Sequence, residues 1–279
     1  MRKRFLDLQE SPLDRRIRTE TAPMEDRARR EDGERDWSGY RIGSESCVHL
    51  LPDSSRLQDG WEVPEGKSRT LVTPVAGPFG LDRVLDLAHW AHRRGWEEIV
   101  VNDWGVFKEL SSVEGIKITA GRLLMRFRRG PGSSDPWPDL DDDSRRYFAW
   151  GPLCDGPFLE FLCQSGITRF ETDPPRHWHP MPDLGSVRLS LHADNRLISV
   201  SSQCPWLYHP RKDNWSAGAQ CPANCRTSGP VLLHSEHLDQ PLIQRGMEIL
   251  DDASGSWREE DLPPEVDRII YSADPVLAR

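Results

Sequence analysis

Between Arg69 and Phe127 the chain alternates short apolar runs with amphipathic stretches. RTLVTPV (69–75) is β-branched and is stopped by Pro74 and Gly77-Pro78, which predicts a strand. FGLDRVLDLAHWAHRRG (79–95) sets Leu81, Val84, Leu85, Leu87 and Ala88 on one helical face, continued by Trp90 and Ala91, and Gly95 marks its end. EEIVVND (97–103) is a second strand, its unbroken apolar run suited to burial on both faces. WGVFKELSSVEG (104–115) predicts a short helix and IKITAGRLLMRF (116–127) a third strand. Strand, helix, strand, helix, strand is the cadence of right-handed βαβ units, so the three strands are expected as parallel neighbours with the helix near 80–94 outside them. The fold class is therefore α/β.

The pattern loosens on both sides of this region. Residues 128–152 are rich in proline, glycine and aspartate and predict a long loop. GPFLEFLCQSGITRFETD (156–173) predicts a helix ended by Gly166 and then a strand. VRLSLHADNRLISVSSQCPW (187–206) gives two β-runs about a turn at His192–Arg196, and GPVLLHSEH, LIQRGMEILDD and VDRIIYSAD give further short strands. Residues 1–36 carry as many acids as bases and few apolar side chains. Such a segment cannot bury enough surface to offset its ordering entropy, so it is expected to be a disordered charged tail or a surface-draped helix, with the folded domain spanning 37–279 and beginning near Tyr40.

Composition narrows the function. The 279 residues can hold one large or two modest domains, and a net charge of −9 argues against wrapping duplex nucleic acid by bulk charge. A local basic patch acting on RNA is still compatible with it. No apolar run is long enough to span a bilayer, and MRKRFLDLQESPLDRR lacks the apolar stretch of a secretory signal, so no membrane role and a cytoplasmic location are expected. In a reducing compartment the six cysteines are more readily ligands or core residues than disulfides.

Three of those thiols, Cys204, Cys221 and Cys225, fall in one Cys-rich loop, 201–227, with the spacing C-x16-C-x3-C. Three soft ligands are one short of a closed site. Structural zinc sites use two tight knuckles, whereas iron–sulfur clusters accept scattered thiolates; the single tight pair here favours a cluster, with zinc as the alternative. Cys163 sits at core spacing in FLEFLCQ, and Cys154 has no spacing partner. His177 and His179 stand two apart in a Pro-flanked loop, a spacing that can chelate but more often does not. Asn102 and Asp103 end a predicted strand, where polar residues either face an active-site mouth or cap the following helix. Glu171 and Asp173 end another strand, and Arg122 and Arg126 offer an anion-binding edge. No nucleophile elbow, P-loop or dinucleotide-binding glycine fingerprint occurs.

EIVVNDWGVFKEL followed by IKITAGRLLMR resembles the peptidase U32 family, the group containing the collagenase-like proteins and the ubiquinone-biosynthesis proteins UbiU and UbiV. The resemblance is carried by Asn102-Asp103, Trp104-Gly105-Val106 and Ala120-Gly121-Arg122-Leu123-Leu124, then by FETDPPR (170–176) and SSQCPW (201–206), and covers roughly residues 40–275. It implies a parallel, TIM-like (β/α) barrel, incomplete or modified. The late start of the matching region leads us to expect one or more missing N-terminal strands. It also implies a 4Fe–4S cluster, with Cys47 in YRIGSESC as the early ligand joining Cys204, Cys221 and Cys225. The first gap of the late trio is four residues longer than in UbiV-like members. Asn102, Asp103, Arg122, Glu171 and Asp173 become the expected substrate-binding set. Implied activities are assistance to an oxygen-independent hydroxylation, or a related modification, of a quinone precursor or RNA base; the alternative is a non-catalytic barrel serving as scaffold or partner subunit. The proteolytic signature is absent, so protease activity is not implied.

Overall fold

A computed structural model describes residues 3–8, 38–47, 51, 65–125, 127, 130, 136–201, 230–238 and 240–272. Eight parallel strands close into a barrel: β1 (Lys3–Leu8), β2 (Gly39–Gly43), β3 (Ser68–Val72), β4 (Glu98–Val101), β5 (Ile118–Ala120), β6 (Arg169–Thr172), β7 (Arg188–His192) and, closing the circle between β7 and β1, β12 (Val266–Ser272). The remaining four, β8 (Asn195–Val200), β9 (Val231–Leu233), β10 (Leu242–Arg245) and β11 (Glu248–Asp252), form an antiparallel sheet inserted between β7 and β12. Helices α1 (Gly77–Arg93), α2 (Trp104–Leu110), α3 (Asp142–Trp150) and α4 (Gly156–Gln164) lie in the β3–β4, β4–β5 and β5–β6 connections. The parallel α/β barrel expected from the sequence is present, with β3, β4 and β5 as parallel neighbours.

Two expectations are corrected. Residues 3–8 of the anticipated tail form β1, paired in parallel with both β12 and β2; these partners are distant in sequence, which local charge density does not reveal. The segment 128–152 is not all loop. Asp141 accepts the Ser144 amide at 2.8 Å and caps α3, so the aspartates supply a cap and a favourable first helical turn.

Strand alternation sorts the side chains into two environments. Leu71, Ile99, Val101, Phe170, Leu189, Leu191 and Ile269 join one apolar core with Val84, Leu87, Ala91, Val106, Leu110 and Leu162 of the surrounding helices. The opposite face is polar. Arg41, Thr70 and Glu98 align in register across β2, β3 and β4, and Glu171, Ser190 and Arg268 across β6, β7 and β12. Ion pairs Arg41–Glu171 and Glu98–Arg268 join these two arcs across the barrel lumen. Such interiors are commonly packed with branched apolar side chains; here the lumen is crossed by charge.

One layer towards the strands' C-terminal ends, Val72, Val100 and Ile270 are buried. Gly43 leaves the space that lets β2 lie close against β3: its φ is 137°, and a Cβ there would overlap the Val72 carbonyl. The antiparallel sheet attaches at this same end. Leu123 packs with Leu197, Ile243 and Leu250, and Arg196 donates to the Pro174 carbonyl at 2.7 Å while pairing with Asp251. No helix among the described residues is long and apolar enough to cross a membrane.

Candidate functional site

Five polar side chains converge where the strands end. His192 closes β7, Asn195 opens β8, and Glu45, Arg122 and Asp173 follow β2, β5 and β6. All are 5% exposed or less. Glu45 owes its position to a tight bend after β2, in which Ser44 Oγ accepts the amides of Ser46 (3.3 Å) and Cys47 (3.2 Å). The Glu45 carbonyl accepts the Val75 amide at 3.3 Å, tying the bend to the end of β3.

Arg122 organises the upper part. Its Nε donates to Glu45 Oε2 at 2.7 Å, and its Nη1 donates to Asp173 Oδ1 at 2.7 Å and Asn195 Oδ1 at 3.0 Å. Burial opposes the cation, but Glu45 and Asp173 outweigh it and hold the guanidinium above its ordinary pKa. Asp173 Oδ2 accepts the Leu197 amide at 3.2 Å, linking the cluster to the inserted sheet.

The lower part is Arg41, Glu171 and His192. Arg41 Nη2 donates to Glu171 Oε2 at 2.8 Å, and His192 Nε2 lies 3.2 Å from that oxygen and 3.6 Å from Glu45 Oε1. Burial raises the Glu171 pKa above the usual carboxylate value despite Arg41. Burial, followed by the field of Arg122, depresses His192 well below the ordinary imidazole value, so the ring is neutral near pH 7. A neutral imidazole beside a carboxyl group of raised pKa can pass or hold a proton, and the same donor atoms can hold a cation. At a parallel barrel's C-terminal end this is where reactive groups collect.

Of the sequence-predicted residues, Arg122, Glu171 and Asp173 meet at this mouth. Asn102 is buried beside it as a strap, its Nδ2 donating to the Thr73 carbonyl (2.9 Å) and its Oδ1 accepting the Leu123 amide (3.1 Å). Gly121 is required there, because a Cβ would overlap the Asn102 side chain. Asp103 caps α2: Oδ1 accepts the Gly105 and Val106 amides at 2.7 and 3.2 Å, and Oδ2 accepts Ala76 N at 3.2 Å. Both oxygens thus serve the backbone, and capping is the role the structure gives it.

Cys47 is buried, two residues beyond Glu45 on the same bend. Cys204, Cys221, Cys225 and Arg126 lie outside the described residues. Cys154 and Cys163 pack against the outer apolar core; the Cys154 Sγ donates to the Arg146 carbonyl at 3.4 Å, and burial pushes its thiol pKa up, which suits a structural thiol. His177 stacks on Trp137 with ring centroids 4.6 Å apart, while His179 meets the same indole edge-on and its Nε2 lies 3.0 Å from Asp142 Oδ1.

Sequence reasoning missed Arg41, Glu45, His192 and Asn195. The available signal was positional: Glu45 precedes Cys47 just past a strand, and His192 ends one.

No protein-family model matches the chain, and no curated protein matches it. A solved structure described as that of a U32 peptidase is similar at a TM-score of 0.40 and 11% sequence identity, covering 98% of this chain and 92% of that one.

Proposed function

We propose that this chain is an iron–sulfur barrel protein whose working end is the C-terminal mouth, assisting an oxygen-independent hydroxylation or related modification of a quinone precursor or RNA base. The observation that carries this reading is the place of Cys47: a buried thiol on the Ser44-nucleated bend that also delivers Glu45 to the mouth. Cys47 fits the role of early ligand because the bend holds it buried two residues beyond Glu45, just past the end of β2, and a thiolate is the soft ligand that iron–sulfur clusters take. Cys204, Cys221 and Cys225 would complete the ligand set on the segment that follows β8. When bound, a 4Fe–4S cluster supplies one-electron transfer. The chain's own residues would do the rest: His192 and Glu171 hold or move a proton, Arg122 fixes Glu45 and Asp173, and Asn195 joins the mouth to the inserted sheet.

A second reading, a non-catalytic barrel that uses its metal structurally and serves as a partner subunit, is favoured by the complete burial of the mouth residues and by the arginines that already engage them.

Anaerobic purification with iron and acid-labile sulfide assays tests the cluster. The wild-type protein is expected to carry both, with the broad charge-transfer absorbance of an iron–sulfur chromophore. Replacing Cys47, Cys204, Cys221 or Cys225 by Ser removes them, whereas Cys163→Ser retains them. Zinc without sulfide, or full retention of the cluster in Cys47→Ser, contradicts the assignment.

A further inference from the structure

Glu45, Glu171 and His192 leave a specific deficit at the mouth. Glu171 Oε1 and Glu45 Oε1 are buried and have no hydrogen-bond partner among the described residues. The cationic and imidazole nitrogens nearest Glu45 Oε1, Arg41 Nη2 at 3.9 Å and His192 Nε2 at 3.6 Å, are too distant to donate to it. A buried carboxylate oxygen without a partner carries a desolvation penalty on the order of 1–3 kcal/mol or more, so it persists where something else completes it.

The geometry suits a metal ion. One donor atom from each of Glu45, Glu171 and His192 lies within 4.8 Å of the other two. The imidazole nitrogen is 3.2 Å from Glu171 Oε2 and 3.6 Å from Glu45 Oε1. Neighbouring ligands on an ion bonded at about 2.1 Å stand roughly 3 Å apart, so small side-chain shifts suffice to close the set. The residues come from three different strands or strand ends, and each has its own anchor: Glu45 is held by Arg122, Glu171 by Arg41, and His192 by β7. Fixed ligands of this kind pre-form a site rather than fold around the ion.

We propose that Glu45, Glu171 and His192 bind a first-row divalent cation at the barrel mouth, a site separate from the cysteines. One imidazole and two carboxylates suit Mn2+, Fe2+ or Zn2+ better than Mg2+ or Ca2+, which favour oxygen-only shells. Three protein ligands leave coordination positions open, the arrangement of catalytic rather than structural metal sites.

The test uses the full-length chain, stripped of metal and titrated with MnCl2, with free Mn2+ followed by its electron paramagnetic resonance signal. Saturable binding at one ion per chain is expected, weakened about tenfold or more by Glu45→Gln and by His192→Gln. His177→Gln, whose ring lies on Trp137, leaves it unchanged. Because Glu45→Gln also disturbs Arg122, a second readout needs no variant: the bound Mn2+ should show electron spin-echo modulation from one directly coordinated 14N. Failure of wild-type protein to bind Mn2+ more tightly than about millimolar overturns the proposal. Bound Mn2+ without nitrogen coupling overturns it equally. Mn2+ binding that persists in Cys47→Ser, with its nitrogen coupling intact, separates this site from the proposed cluster, so either can fail alone.

Discussion

An Arg122→Met substitution is expected to cost about 3–5 kcal/mol of stability, because it leaves two buried carboxylates without their shared cation. Glu45 and Asp173 are each 2.7 Å from the guanidinium, and all three side chains are at most 2% exposed. The loss is not the sum of two ion pairs, since both draw on one charge. Lysine does not rescue it: Arg122 meets Glu45 through Nε and Asp173 and Asn195 through Nη1, and an ammonium cannot reproduce that fork. Urea denaturation of wild type, Arg122→Met, Glu45→Gln and the double variant measures the effect. The double variant is expected to lose clearly less than the two singles added. A single-variant loss below about 1 kcal/mol, typical of exposed pairs, would mean that the mouth is wetter than the structure has it.

Glu98→Gln is expected to be of similar size, about 3–5 kcal/mol, for a related reason deeper in the lumen. Glu98 accepts from Arg268 across the barrel and from the hydroxyls of Thr70 and Thr119, so the substitution strands a buried guanidinium against an amide. Burial alone raises the Glu98 pKa, but Arg268, then the Thr119 hydroxyl, outweigh it and set the folded value below 4.5. A carboxylate depressed by folding stabilises at pH above its unfolded value, and that contribution disappears as pH falls through the folded value. The stability gap between wild type and Glu98→Gln should therefore be constant above pH 4.5 and narrow below it. A Glu98→Leu/Arg268→Met double variant, which removes both charges, is expected to recover most of the loss. A gap that does not change with pH contradicts the ionised pairing.

These residues also show what the chain makes legible. The apolar runs around Leu71, Ile99 and Ile118 and the amphipathic face of α1 announce parallel βαβ units, because helices cover that side of each strand. The lumen is harder to read. The side chains that build it occupy single alternate positions in strands of three to seven residues, where a lone Glu98 or Glu171 looks like a strand boundary. Their meaning lies in pairings such as Arg41 with Glu171 and Arg268 with Glu98, 130 and 170 residues apart, which no local pattern contains. Asp103 illustrates the opposite case. Its position after β4 admitted both a mouth and a cap; the Gly105 and Val106 amides make it the cap of α2, and the Ala76 amide takes its other oxygen. Glu45 could not be placed at the mouth until β2 and the bend at Ser44 set its direction.

Cys47, on the bend that carries Glu45 beyond the end of β2, is the proposed early ligand of an iron–sulfur cluster. Diffraction from anaerobically grown crystals, recorded on both sides of the iron absorption edge, locates the metal. An iron peak bonded to the Cys47 sulfur is expected, with Cys204, Cys221 and Cys225 around the same density. Iron absent from Cys47, or held elsewhere without it, rules the assignment out.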